Sequence, residues 1–368
     1  MEGLNINQIT IAWLNSAKGI SNGKIEAILN YFGGNPKNLW DNFRTEKYNL
    51  NLKQEIISYL TNSMDNFEEK LMHRLENEKA NIITVLDDDY PLKLKEIDGS
   101  PYILYYKGSL RDINNLSIAV VGSRKATSYG KWAAEKFTIE LSELGINIIS
   151  GLASGIDTIA HKTALKSDVK TVGVIGCGID IIYPKSNEHL YSEIAERGGA
   201  VITEYPFGMQ PLPNNFHARN RIISGLSHGV LVIEAQERSG TLITAGHAAN
   251  QGREIFAVPG NIDSLYSKGT NSLIKDGAKI TTSINDIIEE IKELRDRVKQ
   301  NQNKINYTNI TDEEKRIIGC LKDGSKSIYE LNKETSIDIG VLLSKLTMLE
   351  MKGIAKQISG NKFALIYN

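Results

Sequence analysis

Cysteine is scarce in this chain of 368 residues: only Cys177 and Cys320 occur, far apart. Two distant thiols exclude a disulfide framework and a thiolate metal site, and both are expected as small buried apolar groups. Long hydrophobic runs are also lacking. No stretch approaches the roughly 20 apolar residues that span a bilayer, and no basic-then-apolar leader opens the chain. The expectation is a soluble, cytoplasmic protein with no membrane partner. An excess of one charge is missing too, with 43 Lys and Arg against 44 Asp and Glu and a net charge of −1. Without a basic field over the whole surface, an anionic ligand has to be gathered by a few cations converging on one pocket. His161 and His247 have no third clustered ligand, so they read as packing or surface histidines and no metal is expected. Internal repeats and extended low-complexity tracts are absent.

A 41% hydrophobic content over this length supports two or three domains. Residues 1–78 alternate helical apolar spacings with polar breaks, as in Ile9, Ile11, Ala12 and Trp13, and predict a small helical module. Within it, Lys18-Gly19-Ile20-Ser21-Asn22-Gly23-Lys24 joins two helices, either as a plain connection or as a helix-hairpin-helix. Short apolar runs at 82–86 and 102–106 predict strands, with Asp87-Asp88-Asp89 as a solvated turn rather than a metal site.

From Ser117 onward buried-strand runs alternate with helices, the pattern of a parallel sheet covered on both faces. Strands are predicted at 117–121, 146–150, 171–175, 200–204, 229–234 and 254–258. Helices are predicted at 129–144, 157–165, 188–196, 215–224 and 241–251, and a charged one at 284–298. The fold class is therefore α/β, an extended Rossmann-like domain over 79–298. A polar stretch at 299–307 reads as a linker. Residues 308–368 order three helices before a hairpin, which predicts a small winged-helix-like domain suited to DNA or to a protein partner.

Ligands of open parallel sheets gather beyond the carboxyl ends of the strands. There the first three strands end in glycine turns: Gly122-Ser123-Arg124-Lys125, Gly151-Leu152-Ala153-Ser154-Gly155 and Gly176-Cys177-Gly178. Glycine admits close backbone approach, while Ser123, Ser154, Arg124 and Lys125 add donors, so anionic phosphate is the expected ligand. The Walker lysine and the dinucleotide glycines are both missing, which removes the main support for an ATPase or an ordinary dehydrogenase. Phe216, Arg219, Asn220 and Arg221 follow at the start of a helix, combining an aromatic ring for stacking with donors for phosphates and base edges. Alternatively, Phe216 is core and the arginines pair with Glu204 or Glu234. Ser239, Gly240 and Thr241 form another anion seat at a helix amino terminus. Glu234 is the best candidate for a buried acid, with an ion pair to an arginine favoured over catalysis.

Taken together, Gly122-Ser123-Arg124, the run at 150–157, Val174-Ile175-Gly176-Cys177-Gly178-Ile179-Asp180, the run at 216–226, Arg238-Ser239-Gly240-Thr241 and Phe256-Ala257-Val258-Pro259-Gly260 resemble the DprA/Smf family of DNA-processing proteins. The order is collinear and covers most of 82–280. The resemblance implies a homodimer that binds single-stranded DNA, shields incoming strands and loads RecA in transformation or recombination, with no catalysis and no cofactor. Carried over by position, Gly122, Ser123, Arg124, Lys125, Gly151, Ser154, Gly155, Phe216, Arg219, Asn220, Arg221, Ser239, Gly240 and Thr241 would contact DNA. Pro213 and His217 stand where the family commonly has lysine and proline. That exchange shifts a phosphate contact toward Arg124, Arg219 or Lys125. A more distant likeness to Rossmann-like phosphoribohydrolases carries the alternative of a nucleotide-cleaving enzyme, but only half of their loop signature is present at 238–241.

Overall fold

The computed structural model describes residues 3–45, 52–304, 310–322, 324–352, 354–358 and 362–365. The chain packs as two compact units, Met1–Ile291 and Lys292–Asn368.

Among the described residues, five helices open the first unit: α1 (Ile6–Ser16), α2 (Asn22–Tyr31), α3 (Pro36–Asn42), α4 (Gln54–Ser63) and α5 (Phe67–Glu78). A capping box between Asn5 and Gln8 starts α1. Trp13 of α1 is fully buried, donates its indole N–H to the Leu60 carbonyl at 3.1 Å and meets Trp40 and Phe43 edge-on. Ile11 and Ala12, beside it on α1, share a core with Leu71, Leu75, Ile103 and Tyr105. That common core is why the residues expected as a separate module over 1–78 sit in one unit with the sheet.

The sheet has nine strands: β1 (Asn81–Thr84), β2 (Ile103–Gly108), β3 (Ser117–Val121), β4 (Asn147–Ser150), β5 (Thr171–Val174), β6 (Ala200–Thr203), β7 (Gly229–Val232), β8 (Glu254–Ala257) and β9 (Lys279–Ile280). Their spatial order is β1-β2-β6-β5-β4-β3-β7-β8-β9. Neighbours from β6 to β9 pair in parallel, whereas β2 runs antiparallel to both β1 and β6. The fold is thus α/β with a large, mostly parallel sheet. Strands β3 to β7 are buried along their whole length, as continuous apolar runs require when helices cover both faces. The Asp87 turn after β1 is closed internally, because the Asp87 carboxylate accepts the Thr84 N–H at 2.7 Å and its hydroxyl at 2.9 Å.

Between strands run α6 (Leu92–Lys95), α7 (Ser128–Glu143), α8 (Ile156–Ala164), α9 (Glu188–Glu196), α10 (Pro213–Gly225), α11 (Gly240–Asn250) and α12 (Lys268–Lys275). Leu94, Ile222, Ile223, Leu226, Ala245 and Ala248 bring α6, α10 and α11 onto one face through Ala119, Val121, Val172, Val174 and Ile202. On the other face, Leu190, Tyr191 and Ile194 of α9 pack near Val201. The chain visits β3, β4, β5 and β6 in one direction, then crosses back so that β7 lands on the far side of β3. Loops leaving β3 and β7 therefore part company and leave a crevice between them.

The charged segment expected as one helix over 284–298 is two, α13 (Asn285–Glu290) and α14 (Lys292–Lys304). Ile291 adopts an extended backbone between them and buries its side chain near Gly229 of β7. The helix α14 also carries on into the stretch expected as linker, whose residues 305–307 lie outside those described. In the second unit, α15 (Asp312–Leu321), α16 (Ile328–Thr335) and α17 (Ile339–Met351) surround a core of Ile317, Leu331, Leu342, Leu346 and Leu349. Antiparallel strands β10 (Lys326–Ser327), β11 (Ala355–Ile358) and β12 (Lys362–Leu365) order as β10-β12-β11. Cys177 is buried, but Cys320 is only half-buried on α15. Among the described residues no helix is long and apolar enough to cross a membrane.

One glycine holds the β3 and β4 loops together. Gly155 has φ +82°, and a Cβ there would lie 2.2 Å from the Ser123 carbonyl oxygen and 2.6 Å from that of Arg124. Gly155→Ala is expected to destabilise the first unit by at least about 2 kcal/mol, measured by urea unfolding. Wild-type stability in that variant would show that the two loops do not meet this closely.

Candidate functional site

The crevice at the crossover widens into a cavity of about 450 Å³. It is lined by the β3 loop from Gly122 to Lys125, by Phe216, Arg219 and Asn220 of α10, by Ser239, Gly240 and Thr241 at the start of α11, and by Tyr266. Three cations, Arg124, Lys125 and Arg219, face one carboxylate, Asp157. A chain with no excess of positive charge therefore concentrates it here, at the strand ends.

Three helices begin around this crevice, and protein groups engage their amino termini in different ways. Thr127 caps α7, accepting the Gly130 N–H at 3.1 Å, and Glu234 takes the Thr127 N–H at 3.0 Å together with its hydroxyl. A Cβ at Gly130 would fall 2.2 Å from Glu234 Oε2, so glycine makes room for this carboxylate. The expected arginine partner of Glu234 is replaced by a helix terminus, where a negative charge is stabilised. At α8 the Ile156 N–H donates to the Ser123 carbonyl at 3.1 Å. At α11 the N-cap Ser239 makes no side-chain capping bond, and its buried Oγ has no hydrogen-bond partner among the described residues. Ser239, Gly240 and Thr241 at this terminus line the cavity, and a Cβ on Gly240 would meet nothing closer than His217 at 4.0 Å.

The two arginines of α10 that line opposite sides of the helix have different tasks. Arg219 is 3% exposed. Its Nη1 donates to the carbonyl of Gly151 at 2.8 Å and to that of Val174, and its Nε to Asn220 Oδ1 at 3.2 Å. One guanidinium thus ties the ends of β4 and β5 to α10. Arg221 instead forms a two-pronged ion pair with Glu204 at 2.6 and 2.7 Å and donates to the Gly99 carbonyl, away from the cavity. Asn220 passes the linkage on, giving its Nδ2 to the Gly240 carbonyl at 3.1 Å.

Phe216 lies half-buried against the third glycine turn, where a Cβ at Gly176 would come within 2.8 Å of the ring. Arg124 is exposed, makes no ion pair among the described residues, and sets its guanidinium carbon 5.6 Å from the Phe216 centroid. Arg219 sits 5.8 Å from the same ring, and Tyr183 packs 5.4 Å away at 40°. The structure therefore gathers Gly122, Ser123, Arg124, Lys125, Phe216, Arg219, Asn220, Ser239, Gly240 and Thr241 at one cavity. Gly151, Ser154, Gly155 and Arg221 lie outside its lining. The turn glycines have steric duties: a Cβ at Gly122 would strike Ile156 at 2.6 Å, and one at Gly151 would lie 2.7 Å from Arg219 Nη2.

Asp157, His217 and Tyr266 also line the cavity and have no counterpart among the residues expected from sequence. Asp157 accepts the Gly151 and Ala153 N–H groups at 3.1 and 3.4 Å. Burial nevertheless pushes its carboxyl up to about 6, against the opposing pull of Arg219 and these amides. His161, one helical turn on, is fully buried with Nδ1 2.7 Å from Thr171 Oγ1, and burial beside Arg219 pushes it down to about 3, so it stays neutral.

The family model for DNA recombination-mediator protein A matches residues 81–292, all nine strands of the first unit's sheet and all of this cavity. The chain belongs to that family. It is 46% identical over 217 residues to DNA processing protein DprA of Streptococcus pneumoniae, a match that covers 59% of this chain and 76% of that one. The X-ray structure of DprA from the same species superposes with a TM-score of 0.66 at 37% identity, covering 79% of this chain and 99% of the other. DprA of Helicobacter pylori, whose structure is described by its single-stranded DNA binding mode, superposes at 0.53 and 30% identity, covering 59% and 97%. The DprA/Smf resemblance seen in the sequence motifs is confirmed by these matches.

Stability separates the two cavity arginines. Arg219→Ala strips the partner from buried carbonyls and from Asp157, and should cost about 3 kcal/mol or more in urea unfolding, whereas Arg124→Ala should cost about 0.5 kcal/mol or less. Equal losses would contradict the division. Asp157 also carries a pH signature. Its folded pKa is raised from 3.8 to about 6, so its contribution to stability is full below the unfolded value and is lost as pH rises through 6. Asp157→Asn should therefore gain on the wild type by up to about 3 kcal/mol between pH 4 and pH 7. A stability difference that stays flat or reverses over that window would contradict the assignment.

Proposed function

We propose that this chain is a non-catalytic binder of single-stranded DNA whose strand enters the crossover cavity, and that it delivers the bound strand to the recombinase RecA. The observation that carries the reading is Arg124, an exposed guanidinium without an ion pair among the described residues, poised over Phe216 in the cavity that the α11 terminus also lines. On binding, Arg124 and Lys125 meet phosphates, the α11 amides seat another, and the Phe216 ring accepts an unpaired base. The DNA-binding mode named for the Helicobacter pylori relative supports the same ligand class.

Family membership supports the rest: protection of incoming strands in transformation or recombination, assembly as a homodimer, and a cytoplasmic site of action without a cofactor. The three helices and antiparallel strands of the second unit fit a winged-helix-like module, which we assign to DNA or partner docking. Catalysis is not part of the reading. Glu234, the acid that a nucleotide-cleaving enzyme would need, is spent on Thr127 and the α7 terminus. Measurable base release from a nucleoside monophosphate, abolished by Glu234→Gln, would restore the enzymatic alternative.

Binding is tested by fluorescence anisotropy with single strand, duplex and mononucleotide at two salt concentrations. Single strand should bind tightest and weaken steeply with salt. Arg124→Ala should lose more than about 1 kcal/mol and flatten the salt slope by somewhat less than about 1. Because Arg124 and Phe216 touch, the double variant with Phe216→Ala should lose less than the sum of the singles. Wild-type affinity in Arg124→Ala would sink the proposal.

A further inference from the structure

Helix α7, which follows the β3 loop in the chain, leaves two large aromatic rings in solvent. Trp132 is 57% exposed and Tyr129 43%, with ring centroids 5.9 Å apart and planes inclined by 33°. Only Trp132 among the three tryptophans is exposed; Trp13 is buried and Trp40 half-buried. Exposing such rings is costly unless they have a use, and their surroundings indicate one. The Lys136 ammonium lies 5.6 Å from the Trp132 centroid and 4.0 Å from Glu140 Oε1, and Lys125 and Lys131 are both exposed nearby in the chain. The Glu135 carboxylate is drawn aside by Lys166 at 3.7 Å.

The aromatic pair is also continuous with the cavity. It follows directly on the β3 loop that carries Arg124 and Lys125. The Tyr129 hydroxyl donates to the Pro259 carbonyl at 2.9 Å, anchoring the ring to the same loop that supplies Tyr266 to the cavity lining. From Ser128, where α7 begins, to Trp132 the helix rises by roughly 6 Å.

We propose that this ledge is a second stacking platform, on which a base outside the cavity rests against Trp132 while Lys125, Lys131 and Lys136 follow the phosphates. The proposal rests on the single-stranded DNA reading and extends its footprint from one cavity to a track. Aromatic rings interleaved with lysines are the composition of surfaces that grip unpaired strands irrespective of base sequence.

The test uses the full chain with oligothymidylates of about four and about twenty nucleotides. Trp132→Ala should weaken the longer oligomer by about tenfold and leave the shorter unchanged, while Trp132→Phe keeps most of the affinity. Tryptophan emission should be quenched by the longer oligomer in the wild type and lose that response in Trp132→Phe. Unchanged affinity of Trp132→Ala for the longer oligomer overturns the ledge, and if Arg124→Ala still binds more than about fivefold more weakly, the cavity reading stands without it. A wild type that binds neither oligomer removes both. Loss of recombinase association with DNA affinity intact would mark a protein-docking face and also overturn the proposal.

Discussion

The guanidinium of Arg219 is the fixed point of the first unit. Burial of a charge in a sheet protein is costly unless its donors find partners, and here Nη1 bonds the carbonyls of Gly151 and Val174, Nε bonds the Asn220 amide oxygen, and the Asp157 carboxylate lies close enough to favour the charge. Those carbonyls close β4 and β5, so α10 is registered against the strand ends by hydrogen bonds and not by apolar contact alone. From that registration follow the seat of Phe216 on Gly176 and the reach of Asn220 to Gly240. The cavity is a consequence of how α10 is nailed down.

With Arg219 committed, the free donors of the site come from elsewhere. Arg124 and Lys125 stand on a loop whose backbone is pinned by Gly155 and by the Ile156 N–H, so exposed cations ride on a rigid support. Glu234 occupies the α7 terminus, α8 gives its first N–H to the Ser123 carbonyl, and the first residues of α11, Gly240 and Thr241, line the cavity. A neutral chain obtains a positive site through this division, since one carboxylate and three cations share a space of about 450 Å³. Arg221, two residues from Arg219, belongs to the opposite side of the helix and is consumed by Glu204.

The sheet was legible because buried parallel strands leave continuous apolar runs, and β3 to β8 fall within a residue or two of their expected places. Strand β9, two residues long, has too little pattern to be seen. The antiparallel entry of β2 depends on pairing, which a run of apolar residues does not record. The break at Ile291 needed knowledge of Gly229, more than sixty positions earlier, as its packing partner. At the site, residue types and their loops were legible, while the split between Arg219 and Arg221 was not: spacing along a helix says that the two point apart, but not which side is buried. The glycine turns suggested room for a ligand, yet Gly122, Gly151 and Gly155 make room for protein atoms. Asp157 sat inside a recognised run with no role assigned to it at the site, and Tyr266 carried no motif and comes to the cavity only through the crossover of the sheet.

Photochemical crosslinking most directly tests whether an unpaired strand lies in this cavity. A single strand carrying a halogenated pyrimidine, irradiated with the full chain and mapped by mass spectrometry, should attach to Phe216 or Tyr183 and to the peptide bearing Arg124, with loss of the adduct when unlabelled single strand competes. Adducts confined to the second unit, or unchanged by Phe216→Ala and Tyr183→Ala together, would contradict the account.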